Sequence, residues 1–98
     1  MNILIIGFGS IGQRHLKNLL NKNDNNYFVL KYSNNNQVIE NCKVVDGVSI
    51  YDYYQNTKFF KEIDDIDLKI IDAAFICNDS SEHLNIASKL LKYDIAVS

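Results

Sequence analysis

The sequence predicts an α/β domain built on a doubly wound, mainly parallel sheet in three layers. Three observations lead there. Short aliphatic runs recur at residues 3–6, 28–30, 73–76 and 95–97 without polar alternation, as strands buried on both faces read. Stretches with apolar residues at helical spacing separate several of them. A cluster of three glycines joins the first run to the first such stretch. Strands alternating with helices put helices on both faces of a parallel sheet, connected by right-handed crossovers.

In chain order, Ile3, Leu4, Ile5 and Ile6 form the first strand, and Gly7-Phe8-Gly9-Ser10-Ile11-Gly12 turns the chain. The helix that follows presents Ile11, Gly12, His15, Leu16, Leu19 and Leu20 on one face, with Gln13, Arg14, Lys17, Asn18 and Asn21 on the other. Residues 23–26 end it, and 27–32 read as the second strand. A polar connection over 33–37 leads to one helical turn at 38–41. Short strands at 44–45 and 48–51 flank a turn at Asp46-Gly47. Asp52 is the expected cap of a helix from Tyr53 to the region of Phe60 or Ile63, whose buried side would carry Tyr51, Tyr53, Tyr54, Phe59 and Phe60. Residues 64–69 are a charged connection, and its aspartates read as a solvated loop rather than a metal cage. The third strand core is 73–76. Asp79-Ser80-Ser81-Glu82 has the form of a capping box for a helix reaching Tyr93, and 95–97 is a last strand.

Composition narrows the function. Of 98 residues, 47% are hydrophobic and 22% charged, which excludes disordered and fibrous classes. Ten basic against twelve acidic residues leave a net charge of −2, without the basic footprint of a nucleic-acid binder. No aliphatic run approaches the ~20 residues of a membrane helix, and no signal peptide is recognisable. Cys42 and Cys77 have no metal-ligand or CxxC spacing and read as reduced thiols, so a cytoplasmic protein is expected.

Gly7, Gly9 and Gly12 fit G-x-G-x-x-G between a strand and a helix, the context in which the pattern binds a dinucleotide. Gly7 permits the tight turn, Gly9 lets the backbone approach a pyrophosphate, and Gly12 lets the helix pack against its strand. The first amides of the helix, Ser10 and Ile11 among them, then face the phosphates. A P-loop is excluded because no Lys follows Gly12. About 20 residues on, where an NAD site usually places a carboxylate, the chain reads Lys31-Tyr32-Ser33-Asn34. Ser33 or Asn34 could donate to a 2′-phosphate, and Lys31 could help, so the cofactor is NAD or NADP with a lean toward NADP or dual use.

Two stretches carry a resemblance to the cofactor domain of the glucose–fructose oxidoreductase / inositol dehydrogenase / MocA (Gfo/Idh/MocA) family, a Rossmann-type domain. In residues 3–20 it is Gly-Phe-Gly-Ser-Ile-Gly-Gln-Arg-His-Leu-Lys-Asn-Leu, and in residues 72–97 it is Asp-Ala-Ala-Phe-Ile-Cys-Asn followed by Ser80 and His83. The resemblance implies an NAD(P)-dependent oxidoreductase exchanging hydride with a sugar, cyclitol or nucleotide-linked sugar. It implies that Phe8, Ser10 and Ile11 lie at the pyrophosphate with the glycines, and that Asn78 and His83 lie near the nicotinamide. The family often has Pro where this chain has Asp79. Its Glu-Lys-Pro motif would follow Val97, so a partial cofactor domain that binds dinucleotide without catalysing is expected, the substrate domain being absent. Packing is the expected role of His15 and Cys77, and hydrogen bonding that of His83. The alternatives are a non-catalytic NAD(P)-sensing module, or an assembly domain that forms a homo-oligomer through its exposed last strand.

Overall fold

The computed structural model describes residues 1–22, 24–77 and 83–98, His83 by its backbone alone. In chain order the elements are β1 (Asn2–Ile6), α1 (Ser10–Leu20), β2 (Asn26–Leu30), β3 (Gln37–Glu40), β4 (Lys43–Ser49), α2 (Ile50–Tyr53), β5 (Thr57–Phe60), β6 (Ala73–Ile76), α3 (His83–Leu91) and β7 (Ala96–Val97). Five strands form the main sheet in the order β5-β2-β1-β6-β7, and every pair in it is parallel. This is the Rossmann-type α/β arrangement expected from the sequence.

The central strands are apolar on both sides because both sides are covered. Leu4 and Ile6 of β1 join Phe28 and Leu30 of β2 in one core, closed by Ile86 and Leu90 of α3 and by Ile66, Ile71 and Ile95. Ile3 and Ile5 point the other way, with Tyr27 and Val29, into a second core closed by Leu16 of α1, Val38 of β3, Ile50 of α2, and Tyr54. Each fully buried aliphatic side chain contributes about 1.5–3 kcal/mol.

The segment between β2 and β6 differs from expectation. Residues 38–41 belong to a strand and a turn rather than to a helical turn, since β3 and β4 pair as an antiparallel hairpin with Glu40 opposite Lys43. The hairpin turns at Asn41-Cys42, with φ of 51° and 63°, and not at Asp46-Gly47. Two consecutive positive φ values make the two-residue turn whose twist suits a hairpin. Gly47 (φ 79°) instead lies where β4 bulges, between Val45 opposite Val38 and Ser49 opposite Gln37. The helix expected from Tyr53 onward is the single turn of α2, begun by Ser49, whose hydroxyl accepts from the Asp52 amide at 3.4 Å. Residues 57–60 then form β5 beside β2, because Phe59 and Phe60 each have a core to reach on opposite faces of the sheet. Tyr54 is buried while Tyr51 and Tyr53 are exposed.

Helix α1 also departs from its two-faced reading. Gln13, expected on the solvent side, is 1% exposed, and Ile11, expected inside, is 57% exposed. The hairpin covers the flank of α1 that carries Gln13, a tertiary neighbour that helical periodicity does not reveal. His15 is exposed too, its ring stacked on Phe75 at 5.3 Å. Turns of 3₁₀ helix at Ile63–Asp65 and Leu68–Ile70 make up the charged connection. The capping box at 79–82 lies outside the described residues. Among the described residues no helix is long and apolar enough to cross a membrane.

Cys42 holds a left-handed conformation that disfavours any side chain by about 1 kcal/mol. Cys42→Gly is therefore expected to stabilise the fold by about 0.5–1 kcal/mol, seen as a higher urea midpoint at unchanged m-value. A lower midpoint would show that the Cys42 side chain contributes more than its backbone strain costs.

Candidate functional site

The glycine turn occupies the carboxyl end of β1, where the direction of winding reverses: β2 and β5 lie to one side of β1, β6 and β7 to the other. In open parallel sheets this is where ligands bind. Gly7 leaves the strand with φ 87°, and its amide donates to the Leu30 carbonyl at 2.9 Å, tying the turn to the end of β2. On the other side the Cys77 amide donates to the Ile6 carbonyl at 2.7 Å, so the segment after β6 starts beside the turn.

Each of the other glycines has a distinct spatial reason. A Cβ on Gly12 would stand 2.1 Å from the Gly7 carbonyl oxygen and 3.1 Å from its carbon, so α1 sits where it does only because position 12 lacks a side chain. A Cβ on Gly9 would meet nothing within 4 Å. That open space lies over the amino end of α1, for which Gly9 is the N-cap. Among the described residues no side chain caps the helix, and its first turn has no acidic residue. Among the described residues nothing accepts from the amides of Ser10, Ile11 and Gly12. Unsatisfied N–H groups and the positive end of a helix dipole, beside an open backbone, suit a phosphate.

Ser10 and Ile11 are exposed at this end of α1. Phe8 differs, with its ring 8% exposed and packed edge-on against Tyr54 at 5.2 Å and Phe59 at 5.5 Å. Its side chain anchors the turn in the core. Ser33 and Asn34 follow the end of β2. The Ser33 hydroxyl accepts from the Asn35 amide at 3.0 Å, and the Asn34 side-chain oxygen accepts from Lys61 at 3.5 Å. Asn78 lies outside the described residues, and so does the side chain of His83. Burial pushes the Cys77 thiol up, which disfavours the thiolate that a nucleophile needs.

Two more residues at this end of the sheet matter: Lys31, which the sequence offered as a helper at a 2′-phosphate, and one that the sequence did not single out. Lys31 is 4% exposed; its ammonium donates to the Ser33 carbonyl, and its amide to the Phe60 carbonyl at 2.8 Å. Burial first, and then the charge of Lys61, push its pKa down. No carboxylate among the described residues pairs with either lysine. Gln13 is the second, and it was hidden in the sequence because a polar residue at that helical position reads as solvent-facing. A cleft of about 500 Å³ opens beyond the ends of β2 and β5, lined by Tyr32, Glu62, Ile63 and, from α3, Asn85, Ile86 and Lys89. A smaller one, about 270 Å³, lies between α1 and the hairpin, beside Ser10, Arg14, Lys17 and Cys42. The larger cleft adjoins Tyr32, close to the end of β2 that the glycine turn holds.

A family model described as "Oxidoreductase family, NAD-binding Rossmann fold" (GFO_IDH_MocA) matches residues 1–98. No curated protein and no solved structure matches the chain.

Gly12→Ala is expected to cost about 3 kcal/mol or more, since the methyl group meets backbone that cannot turn aside. Urea denaturation checks it, and an unchanged midpoint would mean that α1 does not sit against the turn. A second expectation concerns alkaline pH. Burial, and secondarily Tyr53, push the Tyr54 hydroxyl up to about 12. Folding therefore favours the neutral phenol. Its contribution is complete below about pH 10, where the unfolded tyrosine titrates, and is lost as pH rises from there through about 12. Tyr54→Phe should flatten that part of the stability–pH curve, and parallel slopes for the two proteins would contradict it.

Proposed function

The chain belongs to the Gfo/Idh/MocA oxidoreductase family through an NAD-binding Rossmann domain, and we propose that it holds the nicotinamide cofactor of an enzyme acting on a sugar-like alcohol or ketone. The observation that carries this reading is the glycine turn, with Gly12 pressed on the Gly7 carbonyl and the first amides of α1 without acceptors among the described residues, beside open space at Gly9. A bound nicotinamide supplies the hydride acceptor or donor for the carbinol–carbonyl interconversion. The chain's own residues do the holding. Ser10 and Ile11 offer backbone amides to the pyrophosphate, and Gly7 links the turn to β2, so phosphate and ribose contacts share one rigid frame. The family membership supports hydride exchange, and the sugar-like substrate follows from the resemblance in residues 3–20 and 72–97.

The described residues supply a grip on the cofactor. The chain by itself is expected to bind dinucleotide without turnover. Between the two cofactors, the carboxyl ends of β2 and β5 favour NADP. Lys31 and Lys61 are neighbouring cations without a carboxylate partner among the described residues, and Ser33 and Asn34 sit beside them. A carboxylate there would repel a 2′-phosphate, whereas two ammonium groups offer it a counter-charge.

Fluorescence titration tests both levels. NADPH should bind about tenfold more tightly than NADH, the effect of one charge-assisted hydrogen bond, and Lys61→Ala should remove most of the difference. Tighter binding of NADH would reverse the preference and leave dinucleotide binding standing. Failure of both cofactors to saturate a folded chain would remove the binding role itself.

A further inference from the structure

Gln13 uses all of its hydrogen-bonding capacity inside the protein. Its side-chain nitrogen donates to the Phe8 carbonyl at 3.2 Å and to the Gln37 carbonyl at 2.9 Å. Its oxygen accepts from the Ile39 amide at 2.8 Å and from the Tyr54 hydroxyl at 3.4 Å. Two donors and two acceptor positions are what a primary amide has, so the group is saturated. Its orientation is fixed as well: an amide N–H of the hairpin faces the oxygen, which leaves the nitrogen for the two carbonyls.

The bond to Phe8 bears on the ligand side. The Phe8 carbonyl and the Gly9 N–H belong to one planar trans peptide and point in opposite directions. Drawing the carbonyl inward onto the buried Gln13 turns the Gly9 N–H the other way, away from the core, and the Gly9 backbone is open, since a Cβ there would meet nothing within 4 Å. We propose that Gln13 is a positioning residue which, braced by the β3–β4 hairpin, aims the Gly9 amide at the pyrophosphate of the dinucleotide. The proposal rests on the dinucleotide-binding reading above. It gives the hairpin a part in cofactor affinity although the hairpin itself need not touch the cofactor: Gln37 and Ile39 hold the amide, and the amide holds the peptide.

The test is Gln13→Met, which keeps the length and removes every hydrogen bond. NADPH titration of the unaltered chain and of the variant is combined with thermal melts and with a titration by adenosine, which has no phosphate. The expected result is NADPH affinity lower by about tenfold, the weight of a hydrogen bond to a charged group, with adenosine affinity unchanged. A residue with only a structural role would lower the melting temperature and leave the NADPH affinity of the folded chain as it was, which would overturn the proposal alone. An unaltered chain that binds no NADPH or NADH overturns the dinucleotide reading and this proposal with it. Should the variant not fold, ¹⁵N spectra of the unaltered chain decide: the Gly9 amide resonance must move as NADPH is added. A Gly9 resonance that stays in place while those of Ser10 and Ile11 move overturns the proposal.

Discussion

Helix α1 can leave β1 at its observed angle because nothing projects from position 12 into the Gly7 carbonyl 2.1 Å from where a Cβ would stand. The rest of the site follows from that approach. With the first turn of α1 lying against the glycine turn, Leu16 comes down on Ile3 and Ile5 and closes one of the two cores. The amino end of the helix is directed at the carboxyl edge of the sheet, where its amides lack acceptors among the described residues. Gly7 can then donate to Leu30, which sets β2 and the residues after it at a fixed distance from the turn. One missing methyl group thus sets the relation between the phosphate end and the ribose end of the site.

The second feature is a division of labour between the two faces of the sheet. On the α3 face the buried core is aliphatic apart from Phe28, on which the half-buried Phe60 stacks, and it is closed by elements that follow β5 in the chain. On the α1 face the core is richer in aromatic residues, with Phe8, Tyr27 and Tyr54 buried, and it contains the fully bonded Gln13. A buried amide is tolerated only when its hydrogen bonds are made, and once made they fix orientation more sharply than apolar packing does. The face with the polar bolt is the one whose geometry reaches the glycine turn. The hairpin lies over the same helix flank, and the ion pair of Lys17 with Glu40 ties its far end to α1.

Positive charge gathers at the carboxyl edge around the glycine turn, while Glu62 and Asp64 line the cleft beyond β2 and β5. The amino end of α1, the ammonium of Lys31 and that of Lys61 all bring positive charge toward the ends of β1, β2 and β5. The chain as a whole is slightly acidic, at −2. A buried Lys31 beside a second lysine is unfavourable on its own account, as its lowered pKa reflects, and an anion at this edge would relieve it. Net charge alone says nothing of this, because the effect depends on which cations the fold brings together.

The sequence by itself determined the parallel sheet, the first, second, sixth and seventh strands, the helix after the glycine turn and the turn's place at the end of β1. These are local features: doubly buried strands show unbroken apolar runs, and a turn that needs bare backbone needs glycine at set positions. The region of residues 37–60 was legible only in part. Phe59 and Phe60 read as one side of a helix until β2 offers a strand partner with a core on each face, and Asn41-Cys42 becomes a turn only when residues 37–40 find 43–49. Gln13 and Lys31 were decided by tertiary structure as well. A polar side chain is buried where partners distant in sequence satisfy it, and neither the hairpin beside Gln13 nor Lys61 beside Lys31 is encoded in the spacing around those residues.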